Sequence, residues 1–424
     1  MPARRRQPAL LAVLAALTAL GAGSVAADAA PRDDTLEGRA ILPVEQRGQG
    51  SSPAPAPFPK QPVGGFSALL DAGRGTFWAM PDNGYGSKAN SADFLLRVYR
   101  VRVTYERARR GPEDGRVDVL DFVQLRDPDD RIPFPIVTEG SRERLLTGSD
   151  FDPESMRIAR DGTFYFGDEF GPFLLHTDRT GKVLEAPIAT PGVRAPENES
   201  SEPPAPVNLR SSSGFEGMAI STDKRFLYPS LERATNEEPD KTRHPIFQFD
   251  LRRGRYTGRR FIYRADAPVP PEQEHVVGDM TALDNHRLLV IERDFLQGAA
   301  ARFEKVFLVD LRRTDATGAL VKREVLDLLD IRDPALISLP GRPGDFGLGD
   351  PFKFPYITTE SVLPVGGNRL AIVNDNNFGS VGGRHPSLPD YTDFIEVGVP
   401  DLRGGTDRGA KPNKSRARAT GPRA

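Results

Sequence analysis

The sequence contains no cysteine, and several familiar catalytic signatures are also missing. The lack of cysteine excludes disulfides, thiolate zinc sites, iron–sulfur ligation and cysteine nucleophiles. No G-x-S-x-G elbow, H-E-x-x-H zinc motif, P-loop or dinucleotide fingerprint occurs, which argues against a serine esterase of the α/β-hydrolase kind. Beyond the N-terminus there is no apolar run of about 20 residues, which excludes a multi-pass membrane protein.

Turn-forming residues, by contrast, are abundant. Glycine and proline together supply 80 of the 424 residues, about 19%, against about 12% in average proteins. Hydrophobic residues still make up 38% of the chain, enough for a sizeable core. The composition therefore predicts a turn-rich β protein.

The N-terminus has the pattern of an export signal. Arg4, Arg5 and Arg6 precede an apolar run from Ala9 to Ala22, and small residues follow up to Ala30. Fourteen residues rise about 21 Å as a helix, less than the roughly 30 Å hydrocarbon core, so a retained anchor is the weaker alternative. We expect residues 1–29 to be a cleaved signal peptide, the protein to be secreted, and no stable membrane insertion to remain.

Three further regions are predicted: a closing strand and proline-rich linker over 30–62, one folded domain over 63–402, and a disordered basic tail over 403–424. Residues 30–402 hold 47 basic and 57 acidic residues, a net charge of −10. Such a surface suits cations and does not suit nucleic acid, whose phosphates require a basic footprint. A monomer is expected.

One hairpin pattern repeats five times. Each copy has a polar residue that opens a short apolar stretch, a turn rich in Gly, Asp and Asn, and a second apolar stretch that ends near an acid. The copies are GGFSALLDAGRGTFWAMPDNG from Gly64, DPESMRIARDGTFYFGDEFGP from Asp152, GFEGMAISTDKRFLYPSLER from Gly214, GDMTALDNHRLLVIERD from Gly278 and TESVLPVGGNRLAIVNDNNFG from Thr359. Antiparallel pairing predicts that the acids of each copy meet at one end of its hairpin.

Two more strand-like runs follow most copies, including 95–105 with 116–125 and 173–177 with 182–188. The sequence therefore predicts an all-β fold, a β-propeller of four-stranded blades. Five blades are counted, and a sixth within 107–150 stays an open alternative. The last copy lacks one strand, and residues 35–42 are placed to supply it and close the ring.

The repeated motifs resemble the "esterase-like activity of phytase" family, also called phytase-like domain proteins, over about 60–400. The resemblance is carried by GGFSAL with PDNG, FDPESMRIARDGTFYFGDEFGP, GFEGMAIS, FKFPYITTESV from Phe352 and NDNNFG from Asn374. It implies an exported propeller hydrolase that acts on a small-molecule ester.

On a propeller the first strand of each blade lines the central channel, so the motif acids should surround one mouth of it. The predicted metal ligands are Asp82, Glu154, Asp168, Glu169, Glu216, Glu232, Asp279, Glu292, Glu360 and Asp375. Carboxylates at this density repel one another unless a cation neutralises them or some stay protonated, and Ca²⁺ fits such oxygen ligands better than Mg²⁺. The alternative for each acid is a structural role as a turn cap.

Candidate catalytic acids are Glu216, Glu154 and Glu360, and candidate substrate-binding residues are Arg233, Arg293, Lys353 and Asn376. A calcium-dependent phosphoric-ester hydrolase is the leading hypothesis. A carboxylic-ester or lactone hydrolase on the same site and a non-catalytic ligand-binding propeller remain alternatives. Acids that converge around an open coordination position would indicate an enzyme, whereas acids bound to backbone amides with no cavity between them would indicate the binding propeller.

Overall fold

The computed structural model describes residues 33–44, 60–108, 115–200, 206–268 and 273–404. The predicted signal peptide, most of the linker and the tail beyond residue 404 lie outside these ranges. Among the described residues, no helix is long and apolar enough to span a membrane. The one helical element described is a short 3₁₀ turn, Gly298–Ala300.

Among the described residues, twenty β-strands form three four-stranded sheets and one eight-stranded sheet, which together make the five four-stranded blades of a β-propeller. Blade 1 comprises β2 (Phe66–Gly73), β3 (Thr76–Pro81), β4 (Arg97–Thr104) and β5 (Arg116–Gln124). Blade 2 comprises β6 (Pro153–Ile158), β7 (Phe164–Asp168), β8 (Phe173–Thr177) and β9 (Ile188–Ala189). Blade 3 comprises β10 (Phe215–Ile220), β11 (Phe226–Leu231), β12 (Arg243–Asp250) and β13 (Arg255–Arg264).

Blade 4 comprises β14 (Val276–Ala282), β15 (Arg287–Arg293), β16 (Glu304–Thr314) and β17 (Leu320–Asp327). Blade 5 combines β18 (Thr359–Pro364), β19 (Arg369–Asn374) and β20 (Thr392–Gly398) with the N-terminal β1 (Thr35–Leu42). The predicted closing strand is thereby confirmed, because β1 pairs antiparallel with β20. A single parallel bridge, Ile41 to Arg116, continues the sheet into blade 1.

The inner strands contact one another in a closed ring, in the order β2, β6, β10, β14, β18 and back to β2. Between neighbouring blades lie the hydrophobic cores, five among the described residues, each built from the facing sheets. Phe215 and Leu227 of blade 3, for example, pack with Tyr165 and Leu174 of blade 2. Burial of each large apolar side chain contributes about 1.5–3 kcal/mol, so the ring is stabilised mainly by contacts between blades.

The described residues form five blades, and no sixth blade lies among them. Residues 125–152 contain none of the strands; their backbone amides donate to carbonyls in turns and isolated bridges and to side chains. The carboxylate of Asp127 accepts from the N–H groups of Arg131 and Ile132, and that of Asp150 from Val137 and Thr147. This excursion buries its apolar side chains in the core between blades 1 and 2.

One predicted strand was wrong in its bounds. The fourth strand of blade 2 was expected over 182–188 but is only Ile188–Ala189. Pro187 precedes it and has no N–H to donate to a ladder, which explains the short pairing.

Candidate metal and substrate site

A β-bulge recurs in the first strand of all five blades, and in three of them it positions a motif acid. In blade 3 the ladder passes from Phe215 opposite Leu231 to Gly217 opposite Ser230, which leaves Glu216 unpaired. The same shift leaves Glu154 of blade 2 and Glu360 of blade 5 unpaired. A bulge re-aims the side chain of its extra residue, so these three acids leave the regular alternation of the strand.

The acids converge on a cavity of about 330 Å³ at one mouth of the ring. Its lining includes eight carboxylates, and these are Asp82, Asp152, Glu154, Glu169, Glu216, Glu232, Glu360 and Asp375. Arg233 and Arg293 also line it, together with the Phe295 ring and the polar Asn83 and Asn377. Eight acids against two arginines leave a strong excess of potential negative charge.

Two groups of three carboxylates are close enough to share one ion. Asp82, Asp152 and Glu154 each offer an oxygen within 4.8 Å of the others, and so do Glu154, Glu216 and Glu360. We call these the first and the second triad. Glu154 belongs to both, so it occupies the centre of the acidic surface.

Without a cation, this arrangement opposes ionisation of its acids. Burial, followed by repulsion from neighbouring carboxylates, raises the pKa of Asp152, Glu154 and Glu216 well above the usual values. Burial is also the main cause that raises the pKa of Glu169 and Asp375. The pKa of Asp82 is raised to about 6, mainly by burial.

These shifts predict how the metal-free protein responds to pH. Folded-state pKa values above the unfolded ones mean that the native protein binds more protons than the unfolded chain from about pH 4 to pH 7 and above. Stability is therefore expected to fall as pH rises through this window. Thermal melts of metal-free protein should show a melting temperature several degrees lower at pH 8 than at pH 5. A melting temperature that rises with pH in this window would contradict the assignment.

Arg293 is the cation most deeply involved in the site. Its Nη2 lies 2.9 Å from Glu216 Oε1, 3.2 Å from Glu360 Oε1 and 3.7 Å from Glu232 Oε1. Its pKa is raised despite burial, because these carboxylates stabilise the charged form. Arg233 pairs with Glu232 at 2.6 Å, and both guanidinium groups lie over the ring of Phe295.

Three predicted metal ligands lie away from the cavity. Asp168 accepts from the N–H groups of Asp152 and Gly171 at 2.8 and 2.7 Å, as the turn-cap alternative describes, and burial raises its pKa to about 7. Glu292 lies inside blade 4 against Lys322, His275 and Tyr263. Burial alone would raise the pKa of Glu292, but bonds with His275 and Lys322 lower it.

Asp279 is also placed elsewhere, for a reason that lies in the repeat. It directly precedes Met280, whereas Glu154 and Glu216 stand two residues before Met156 and Met218. Gly278 therefore occupies the acid position in blade 4. Asp279 instead bonds Arg157 at 3.0 Å and accepts from the N–H of Val362, and its expected pairing with Glu292 does not form, since Glu292 lies opposite Val277.

Two predicted substrate-binding residues are likewise absent from the lining. Lys353 lies 5.9 Å from the ring of Phe346, and Asn376 is buried with its Nδ2 donating to the carbonyl of Asp390. The remaining predicted residues all line the cavity.

Sequence reasoning missed Asp152 and Phe295. Asp152 directly precedes the Pro153–Glu154 pair of the second hairpin copy, so proximity to a motif acid was the available signal. The amide and backbone N–H of Asn83 in blade 1 both donate to its carboxylate and hold it in place. Ser211 and Ser212, from the polar loop between blades 2 and 3, also reach the cavity.

Comparison with known proteins adds relatives of two kinds. A secreted protein of uncharacterised function from Arthroderma benhamiae is 25% identical over 292 residues, 54% of this chain and 56% of that protein, so the match spans little more than half of the relative's length. Among solved structures, the Dos1 propeller is 9% identical over 87% of this chain and 94% of its own, with a TM-score of 0.33. An endo-arabinase from Bacteroides thetaiotaomicron is 11% identical over 78% and 95%, with a TM-score of 0.36.

The decisive match is to a protein family. Residues 61–378, three-quarters of the chain, match the phytase-like family described as "Esterase-like activity of phytase". The matched region contains four hairpin copies, all but the last residue of the fifth, and every carboxylate of the cavity. The chain therefore belongs to the phytase-like family.

Proposed function

We propose that this protein is an exported, calcium-dependent hydrolase of phosphoric esters that acts in the acidic cavity. The convergence of eight carboxylates on one cavity of about 330 Å³ is the observation that carries the proposal. Export is supported by the N-terminal pattern and by the secreted relative. N-terminal sequencing of the exported protein should find a start near residue 30.

The donor set supports calcium as the cation. All candidate ligands are oxygen atoms from flexible carboxylates, which Ca²⁺ accepts in sets of 6–8, whereas Mg²⁺ demands a stricter octahedral geometry. One carboxylate oxygen, Glu169 Oε1, is buried at the cavity without a hydrogen-bond partner among the described residues. A buried unpaired acceptor of this kind is costly unless a ligand satisfies it.

Residues of the cavity would bind the ion, bind the phosphoryl group and accept a proton. Asp82, Asp152 and Glu154 would hold the ion, which when bound would polarise the phosphoryl group and favour ionisation of a water molecule. Arg293 would donate hydrogen bonds to phosphoryl oxygens and stabilise the charge that develops there. Glu169, whose pKa is raised by burial, would accept the proton of the attacking water.

A substrate panel with and without calcium tests the proposal. We expect turnover of at least one phosphomonoester or phosphodiester, its loss with chelator and its return when calcium is restored. Calcium at about 100 times its dissociation constant should also stabilise the fold by about 2.7 kcal/mol, seen as a higher melting temperature.

Three other outcomes would contradict the proposal in different ways. Turnover restricted to carboxylic esters or lactones would assign the esterase alternative. Calcium binding without turnover of any ester would indicate a binding propeller. Turnover of phosphate esters that is unchanged by chelator would show that the reaction does not depend on a metal. Glu185→Gln is a suitable control, because that carboxylate pairs with His176 outside the cavity and is half exposed.

A further inference from the structure

The eight carboxylates of the cavity differ in how their charge is balanced. Glu216, Glu232 and Glu360 all lie within 4 Å of Arg293, and Glu232 also pairs with Arg233. Two arginines therefore balance part of the charge of these three acids. We call this group the paired half of the cavity.

The other five acids form the unpaired half, and these are Asp82, Asp152, Glu154, Glu169 and Asp375. Within the described ranges, no lysine, arginine or histidine forms an ion pair with any of them. Glu169 lines the cavity and is 5% exposed, and its Oε1 has no hydrogen-bond partner among the described residues. Charge and an unsatisfied buried acceptor thus both indicate that a cation from solution belongs on this side.

We infer that the cavity holds one resident divalent cation, at the first triad, and that the Arg293 guanidinium occupies the role of a second cation at the second triad. The inference rests on the proposed metal site and adds its stoichiometry and location. Asp82, Asp152 and Glu154 are the ligands, with Glu169 beside Asp152, whose carbonyl accepts from the Glu169 N–H at 2.9 Å.

The chemistry of arginine explains why the second triad is closed to a metal. The guanidinium stays protonated at any ordinary pH, so it is a permanent charge. Its Nη2 already bonds two of the three members of the second triad, Glu216 and Glu360. A divalent ion there would have to take the same oxygens from Arg293 and would lie close to its positive charge.

The packing of Arg293 keeps it in this place. Its side chain is 4% exposed, and the ring of Phe295 lies 5.6 Å from its guanidinium carbon. Its backbone lies on β15, opposite Glu304 in the register with β16. The guanidinium is therefore part of the cavity wall and not a mobile surface charge.

Metal stoichiometry of purified variants tests the inference. Equilibrium dialysis against calcium, followed by elemental analysis, should find one ion per wild-type chain. Arg293→Gln removes the charge and should raise the number to two, whereas Arg293→Lys keeps a charge and should leave it at one. Asp152→Asn should reduce the number to zero.

The outcomes separate this inference from the proposed function. A wild-type protein without bound metal would overturn both. Two ions in the wild type, or one ion in a folded Arg293→Gln variant, would overturn the inference and leave the metal-dependent hydrolase standing. If Arg293→Gln does not fold, the double variant Glu216→Gln with Glu360→Gln decides: one ion supports the inference and zero overturns it.

Discussion

Glu154→Gln is expected to weaken calcium binding at least 100-fold, about 2.7 kcal/mol, and to lower turnover in proportion. Glu154 belongs to both carboxylate triads, so its loss leaves neither triad complete. An amide oxygen keeps the shape of the carboxylate but supplies no negative charge to a divalent cation.

The same substitution should leave the metal-free fold intact. Burial and neighbouring carboxylates raise the pKa of Glu154 well above its usual value, which favours its neutral form in the metal-free protein. Glutamine imitates this neutral form. Calorimetric titration should therefore report the loss of affinity, while melts in chelator match those of the wild type and of Glu185→Gln. If Glu154→Gln bound calcium with wild-type affinity, the assignment of the calcium site to the triads would be wrong.

Asp393→Asn is expected to lower the free energy of unfolding by about 3–5 kcal/mol. Asp393 lies on β20 and accepts from Arg39 of the closing strand β1 at 2.9 Å and from Arg384 at 3.1 Å. The Asp393 and Arg384 side chains are fully buried and that of Arg39 is 5% exposed. Loss of the carboxylate charge leaves two buried guanidinium groups without a counter-ion.

The consequence should be concentrated where the ring closes, because Arg39 holds β1 against β20 and also donates to the Ser338 carbonyl. Denaturant unfolding of the calcium-loaded protein measures the change. Asp310→Asn is the matched control: Asp310 also binds an arginine through two bonds, to Arg312 at 2.9 and 2.7 Å, but Arg312 is 61% exposed. The control substitution should lower the free energy of unfolding by less than about 1 kcal/mol. An equal loss of unfolding free energy in the two variants would show that burial does not determine the strength of the bonds between Asp393 and its arginines.

The fold was largely predictable because its repeating unit is local. Turn residues and alternating apolar residues define each hairpin within about 20 residues, and the closing strand has the predicted bounds, Thr35–Leu42. The excursion before blade 2 was ambiguous for the opposite reason. Its apolar residues have the composition of strands, but its amides donate to Asp127, to Asp150 and to carbonyls in turns and isolated bridges.

The site was predictable as a set and less so residue by residue. Glu154, Glu216 and Glu360 occupy equivalent positions of three repeats, so repetition alone grouped them. Asp279 is shifted by one residue, and since side chains alternate along a strand, one residue is enough to turn it away. Lys353 adjoins a motif in sequence, but its loop places it against Phe346.

The sequence by itself determined a β-propeller of the phytase-like family with acids gathered at one end of its hairpins, because strand alternation, turns and repeats are encoded over short distances. Only the tertiary structure decided which acids share the cavity and how their charge is balanced. Those features depend on bulges that re-aim Glu154, Glu216 and Glu360 and on contacts between blades. Arg293 of blade 4 meets Glu216 of blade 3 and Glu360 of blade 5 because ring closure brings residues 77 and 67 positions apart within 3.2 Å of each other.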